Sequence, residues 1–313
     1  IGVDALSDAS KKLESEIAKV IVGQKEVVRS IIISIFANGH SLLVGVPGLG
    51  KTLLVNTISQ ALGLDFNRIQ FTPDLMPSDI VGAEILGEDR TFKFVKGPVF
   101  TNVLLADEIN RTPPKTQAAL LEAMQEKKVT NAGKSLSLPS PFFVLATQNP
   151  IDQEGTYPLP EAQLDRFMFN IWVDYPTLEE EVEVVKSTTS DYKNQVNPVL
   201  TVEEIIAFQE LIRRIPVADN VLEYAVKLAN KTRKDSDLAP NNTKEYLTWG
   251  AGPRASQYLI LGAKTHAALN GKYSPDIEDV QAVAMPILRH RIMRNYKAEA
   301  DGVSLEQIIK SLL

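Results

Sequence analysis

Apolar positions recur at helical spacing over residues 3–19 and again over 25–38, each stretch interrupted by Lys and Glu. Between the two stands Ile21-Val22-Gly23-Gln24. The run Ser41-Leu42-Leu43-Val44 differs. It is short, continuously apolar and ends at Gly45, so it predicts a buried strand. A glycine-rich turn follows, and then a helical stretch over 52–62. The alternation continues with strands expected at 66–71, 103–106, 142–147 and 167–173. A helix is expected from Thr112-Pro113 to about Glu126, with Thr112 as N-cap and Pro113 as first helical residue. Continuously apolar strands separated by helices predict a parallel sheet covered on both faces. After Asp174-Tyr175-Pro176 the texture changes. Helical periodicities fill 177–190, 201–214, 219–235, 254–270, 276–291 and 303–313, with no strongly apolar strand between them. The expected division is an α/β nucleotide-binding core over 1–176 and a smaller all-helical domain over 177–313.

Two segments interrupt the α/β pattern. Residues 72–98 are rich in Pro, Gly and Asp and suit a projecting loop or hairpin. Residues 127–136 read as a hairpin turning at Asn131–Gly133. Each is either a substrate-contacting element or surface decoration.

The chemistry sits at strand ends. Gly45-Val46-Pro47-Gly48-Leu49-Gly50-Lys51-Thr52 fits the phosphate-binding pattern G-x-x-x-x-G-K-[ST], and Leu53 continues it into the helix. Glycines let backbone N–H groups turn toward phosphate oxygens. Lys51 is placed to reach the β- and γ-phosphates, and the Thr52 hydroxyl to bind Mg²⁺. An apolar strand precedes the loop and a helix follows it, which is the context such a loop needs. The strand at 103–106 closes on Asp107-Glu108. Asp107 suits the metal, and Glu108 suits a base acting on the attacking water. The strand at 142–147 ends in Gln148-Asn149-Pro150. Asn-Pro alone is a turn signal, but after a third core strand the Asn149 amide can sit beside the γ-phosphate.

Together these residues resemble the AAA+ ATPases. The resemblance assigns Asn149 to sensor 1, Val22 and Gly23 to the segment packed on adenine, and Arg166, in Leu159-Pro160-Glu161-Ala162-Gln163-Leu164-Asp165-Arg166-Phe167, to the arginine finger that reaches a neighbouring subunit's γ-phosphate. Gly250-Ala251-Gly252-Pro253-Arg254 resembles sensor 2, with Arg254 reaching nucleotide from the lid. Gly252 departs from the Ser usual there. The finer likeness is to the MoxR group. It is carried by Thr72-Pro73-Asp74-Leu75-Met76-Pro77-Ser78-Asp79-Ile80-Val81-Gly82, by Asp107-Glu108-Ile109-Asn110-Arg111 with Pro113-Pro114-Lys115-Thr116-Gln117, by Ala146-Thr147-Gln148-Asn149-Pro150 and by Glu154-Gly155-Thr156-Tyr157-Pro158-Leu159-Pro160. This resemblance implies a P-loop AAA+ core with a parallel sheet flanked by helices and a helical lid. It also implies ATP and Mg²⁺ as cofactors, a homo-oligomer in a six-membered ring, and remodelling of a protein or cofactor site with a von Willebrand factor A-domain partner in trans.

Composition narrows the rivals. The chain has 313 residues, 44% hydrophobic and 23% charged, and a net charge of -6. The acidic balance argues against a nucleic-acid translocase, although a local basic loop can still bind. A non-hydrolysing nucleotide switch is opposed by Glu108, Asn149 and Arg166. A magnesium-chelatase-like subunit is a closer variant. Residues 84–101 lack Gly-Ala-Phe-Thr-Gly-Ala, which argues against a sigma-54 activator. There is no cysteine, so disulfides, thiolate metal sites and a cysteine nucleophile are excluded, and a reducing cytoplasm is expected. His40, His266 and His290 are far apart in sequence, so no zinc cluster is expected. No run approaches 18 apolar residues, and the first ten show no signal-peptide pattern.

Overall fold

The computed structural model describes residues 2–46, 48–150 and 155–313. Helices α1 (Val3–Ala18) and α2 (Lys25–Phe36) precede β1 (Ser41–Val44), α3 (Lys51–Ala61) and β2 (Phe66–Gln70). A short α4 (Pro77–Val81) leads into a hairpin of β3 (Gly82–Leu86) and β4 (Phe92–Lys96). Then come β5 (Val103–Asp107), α5 (Pro114–Glu126), a second hairpin of β6 (Lys128–Asn131) and β7 (Lys134–Ser137), β8 (Phe143–Gln148), α6 (Glu161–Leu164) and β9 (Phe169–Trp172). The rest is largely helical: α7 (Leu178–Thr188), α8 (Val202–Arg214), α9 (Asp219–Lys231), α10 (Asn241–Tyr246), α11 (Pro253–Leu269), α12 (Ile277–Leu288), α13 (Tyr296–Ala300) and α14 (Leu305–Leu312). A small antiparallel pair, β10 (Leu247–Trp249) and β11 (Met293–Arg294), joins it.

Five strands form one parallel sheet in the order β2-β5-β8-β1-β9. The continuous apolar runs are explained by two cores, one on each face. Leu43, Leu105 and Leu145 point into a cluster shared with α1, α2, α3 and the C-terminal helices. Their neighbours Leu42, Leu104 and Val144 point into a second cluster built on α5, Phe71 and Phe167. Strand side chains alternate in direction, so a strand buried on both sides must be apolar at every position. The first cluster runs without a break into α9, α11, α12 and α14.

The insertion at 72–98 is a helix and hairpin, and its apolar tip is open. Ile85, Leu86 and Phe92 are exposed, Phe92 by 72%. The second hairpin turns on Ala132 and Gly133, both at positive φ (49° and 78°), with Asn131 paired to Lys134. Two-residue hairpin loops favour that mirror-image turn because its twist matches the strands. The expected start of the helix after β5 needs correction. Thr112 does not cap it. Thr112 Oγ1 donates to the Ile109 carbonyl, closing a 3₁₀ turn over Ile109–Arg111, and α5 begins at Pro114.

The C-terminal helices are fastened to the segment before β9. Arg291, with 2% of its side chain exposed, donates to Asp165 Oδ1 at 2.8 Å and to the carbonyls of Asp165, Phe167 and Met168. It also donates to the Ile287 carbonyl of α12. Tyr258 of α11 donates its hydroxyl to the Arg166 carbonyl.

Candidate active site

All five sheet strands run the same way, so their C-terminal ends form one edge, and the polar strand-end residues collect there. Between β1 and α3, Gly48 (φ 86°) and Gly50 (φ 72°) adopt left-handed conformations. A Cβ at either position would meet nothing within 4 Å. Glycine is therefore required for backbone freedom rather than for space. α3 begins at Lys51 and aims its first N–H groups at the loop's concavity. The Lys51 ammonium donates to the Gly45 carbonyl at 2.6 Å. Burial lowers its pKa, while Asp107 and Glu108 pull the other way.

Gly48, Leu49, Gly50, Lys51, Thr52, Arg68, Gln70, Asp107, Glu108 and Asn149 line a cleft of about 310 Å³. The structure thus brings together the loop, both carboxylates and Asn149. Pro47 lies outside the described residues. Gly45 contributes through the carbonyl that holds Lys51, and Leu53 is about half exposed on α3. Val22 and Gly23 do not line this cleft. They border a separate cavity of about 670 Å³ with Ile17, Ile21, Val28 and Glu183.

Asp107 and Glu108 are held by residues that sequence reasoning missed. Thr147, fully buried on β8, donates its hydroxyl to Asp107 Oδ1 at 2.6 Å and accepts the Glu108 N–H at 2.8 Å. The parallel register makes this possible, because Ala106 pairs with Ala146 and the next residues are Asp107 and Thr147. Arg68 donates to Asp107 Oδ2 at 2.6 Å, Arg111 donates to Glu108 Oε2 at 3.1 Å, and Gln70 Nε2 reaches that oxygen at 3.4 Å. The available signal was the exposed pair Arg68 and Gln70 on a strand whose Gln70 pairs with Asp107. Glu108 itself stands at φ 57°, a left-handed conformation costly for a side chain of its size and common at functional sites. A threonine hydroxyl and a carboxylate are hard oxygen donors that suit Mg²⁺ completed by phosphate oxygens and water. The donor set fits that ion.

Arg166 and Arg254 are elsewhere. β9 pairs with β1 from Ser41↔Phe169 to Val44↔Trp172. The phosphate loop follows Val44, whereas Arg166 precedes Phe169, so they occupy opposite edges of one sheet. About 10 Å of strand rise separates those edges before any loop is counted. Arg254 lies one helical turn before Tyr258, whose hydroxyl binds the Arg166 carbonyl, and its charge is felt by Tyr258 and Arg291. The two arginines share the far side of the molecule.

Comparison with known proteins shows the family and the fold. Residues 40–169 match the family model described as ATPase family associated with various cellular activities (AAA), and residues 240–312 match that of the AAA lid domain. The chain is 43% identical over 304 residues to Chaperone MoxR1 of Mycobacterium tuberculosis, covering 95% of this chain and 79% of that protein. It is 31% identical over 314 residues to Protein MoxR of Methylorubrum extorquens, covering 91% and 88%. A crystal structure of a protein assigned as an ATPase, from Cytophaga hutchinsonii, superposes with TM-score 0.93 at 43% identity, over 99% of this chain and 94% of that one. On these grounds the chain belongs to the MoxR family of AAA+ ATPases, enzymes that hydrolyse ATP.

Proposed function

We propose that this protein hydrolyses MgATP at sites shared between neighbouring subunits of a ring, and that it uses the cycle to remodel a protein or a cofactor-dependent partner. The observation that carries this reading is the placement of Arg166 on the sheet edge opposite the phosphate loop. An arginine there, half-buried, cannot serve its own cleft, and in this reading it serves the cleft that a second copy brings to it. Closed rings arise from such head-to-tail contacts.

In this reading Lys51 and the loop N–H groups hold the phosphates, and Thr52 and Asp107 hold the metal. Bound Mg²⁺ supplies charge neutralisation and an anchor for the phosphate oxygens. Glu108 takes a proton from the attacking water, and Asn149 orients that water. Thr147 fixes the directions of both acidic residues. Arg166, and Arg254 beside it, bring positive charge to the terminal phosphate of the neighbouring subunit. Arg254 is thus assigned to the neighbour's nucleotide and not to its own. Val22 and Gly23 are assigned to the adenine end of the site. The core over 1–176 and the lid over 177–313 move against each other only as far as the Arg291 fastening allows. The exposed tip of the β3–β4 hairpin, with Ile85, Leu86 and Phe92, and the β6–β7 hairpin suit contact with a client near the ring axis. A six-membered ring, a cytoplasmic setting and a von Willebrand factor A-domain partner acting in trans belong to the same proposal. The name of the M. tuberculosis relative, a chaperone, supports a remodelling role. Among the described residues, no helix is long and apolar enough to cross a membrane.

The test is ATPase rate per subunit against protein concentration. Shared sites predict a specific activity that rises with concentration and is lost in both Glu108→Gln and Arg166→Ala. A flat profile with Arg166→Ala equal to the parent would contradict them.

A further inference from the structure

The phosphate cleft contains a cation that the reading above leaves without a task. Arg68 projects from β2, the edge strand of the sheet, and is the one arginine among the described residues lining the cleft. Its Nη2 donates to Asp107 Oδ2 and to Gln70 Oε1, each at 2.6 Å. The other oxygen of Asp107 is taken by Thr147. Both oxygens of the carboxylate assigned to the metal are therefore engaged by the chain's own side chains. The geometry also marks the Arg68 bond as the replaceable one. Thr147 is fully buried and accepts the Glu108 N–H in the same arrangement, so its bond is built into the strand pairing. The Arg68 side chain is 42% exposed on a long aliphatic stem, although its partner Asp107 is only 16% exposed. An ion pair open to water on its arginine side is partly screened and costs less to open than a buried one.

Building on that reading of the cleft, we propose that Arg68 is a positioning residue that stands in for the divalent cation at Asp107 and is exchanged for it when nucleotide arrives with Mg²⁺. Where no metal sits at Asp107, its charge offsets that carboxylate, which would otherwise face incoming phosphates as a bare anion. Without it, Lys51 and the Arg111 paired to Glu108 would have to balance both Asp107 and Glu108. A divalent ion held by Asp107 would repel a guanidinium on the same carboxylate, and Arg68 would give up its bond there. Arg68 thus makes the cleft tolerant of nucleotide without metal and makes metal entry a competition.

The exchange has a signature in binding alone. A fluorescent ATP analogue is titrated with the parent, Arg68→Ala and Arg68→Gln, once with Mg²⁺ and once in chelator, with melting curves to confirm folding. Loss of Arg68 removes the competitor for the metal and leaves Asp107 facing the phosphates when metal is absent. Both effects raise the ratio of the metal-free Kd to the Mg²⁺ Kd, by about threefold or more for an ion pair of this exposure. Should Arg68→Ala fail to fold, Arg68→Gln, which keeps a bond to Gln70, carries the same prediction. A ratio that is unchanged or falls overturns the proposal, because a plain phosphate ligand weakens both affinities together and a surface residue changes neither. Lys51→Ala is the control. If it binds like the parent in both conditions, the cleft is not the nucleotide site and the wider reading fails. If it loses binding while the Arg68 ratio stays flat, only the exchange is wrong.

Discussion

The Thr147 hydroxyl serves two acidic residues at once, and its removal should be felt more in turnover than in binding. Thr147→Val keeps the shape of the side chain but leaves Asp107 Oδ1 and the Glu108 N–H without their partner. We expect kcat to fall about 10- to 100-fold, as for other residues that orient a metal ligand, with a stability cost of about 1–3 kcal/mol for the unsatisfied groups. Steady-state kinetics at saturating Mg²⁺ and a urea melt separate the two effects. Glu108 tells a related story through its backbone. Glu108→Gly relieves the left-handed conformation, so the variant should melt higher by about 1 kcal/mol of stability while losing hydrolysis. A variant that melts lower would contradict the strain. His40 sets a pH limit on the fold. Its Nδ1 accepts the Val144 N–H at 2.9 Å and its Nε2 faces the Met124 carbonyl at 3.3 Å, a pattern that the neutral ring with its proton on Nε2 satisfies. Burial, with a smaller contribution from Lys127, lowers its pKa to about 4. A depressed histidine keeps its proton off in the folded state while the unfolded chain takes one up below its ordinary value near 6.5. Stability is therefore fully present above about pH 6.5 and is lost as pH falls toward 4. The urea midpoint of the parent should drop across that window, and His40→Asn should flatten the drop. An equal slope in both proteins would remove His40 from the account.

The elements divide into those whose sequence signal is local and those whose meaning comes from pairing. Helix periods, the apolar strands and the glycine loop were legible because each is written in consecutive residues. Leu42-Leu43, Leu104-Leu105 and Val144-Leu145 read as buried strands, and the structure shows why, with one residue of each pair in either core. The Thr112 start of α5 was misread because Thr-Pro is equally good chemistry for ending a 3₁₀ turn, and the sequence does not show where the Ile109 carbonyl lies. Arg68, Thr147 and Arg291 were illegible for a different reason. Their partners are 39, 40 and 126 residues away, and only sheet register and helix docking bring them together. Arg291 is the strongest element-scale test. It joins α12 to the segment carrying Arg166, so Arg291→Ala takes a buried donor from the Asp165 carboxylate and from four carbonyls, of which that of Phe167 keeps His290 Nε2 at 2.8 Å. The loss should be about 3–5 kcal/mol, the range for breaking one side of a buried pair. Arg291→Lys should recover little, because an ammonium cannot reproduce the planar fork. Chemical denaturation measures both, and a loss below about 1 kcal/mol for Arg291→Ala would mean the fastening is dispensable.

For the whole molecule, the net charge of -6 and the split between phosphate loop and arginines point the same way. Binding energy is expected from protein contacts rather than from a nucleic-acid backbone, and added DNA should leave the ATPase rate unchanged at low salt. The central claim is that each active site is built from two copies of the chain. On that claim, Glu108→Gln removes the proposed water-activating group from a subunit's own cleft, and Arg166→Ala removes the group proposed to serve its neighbour. Neither variant alone contains one complete site. In a mixed assembly, a cleft from the Arg166→Ala subunit meets the arginine of the Glu108→Gln subunit, and that site is whole. The most direct measurement is therefore the ATPase rate of the two inactive variants, separately and after mixing in equal amounts. The account predicts near silence apart and a recovery to about a quarter of the parent rate for random neighbours in a closed ring. If the mixture stays as inactive as its components while the two chains demonstrably co-assemble, Arg166 does not act across subunits and the shared-site account is wrong.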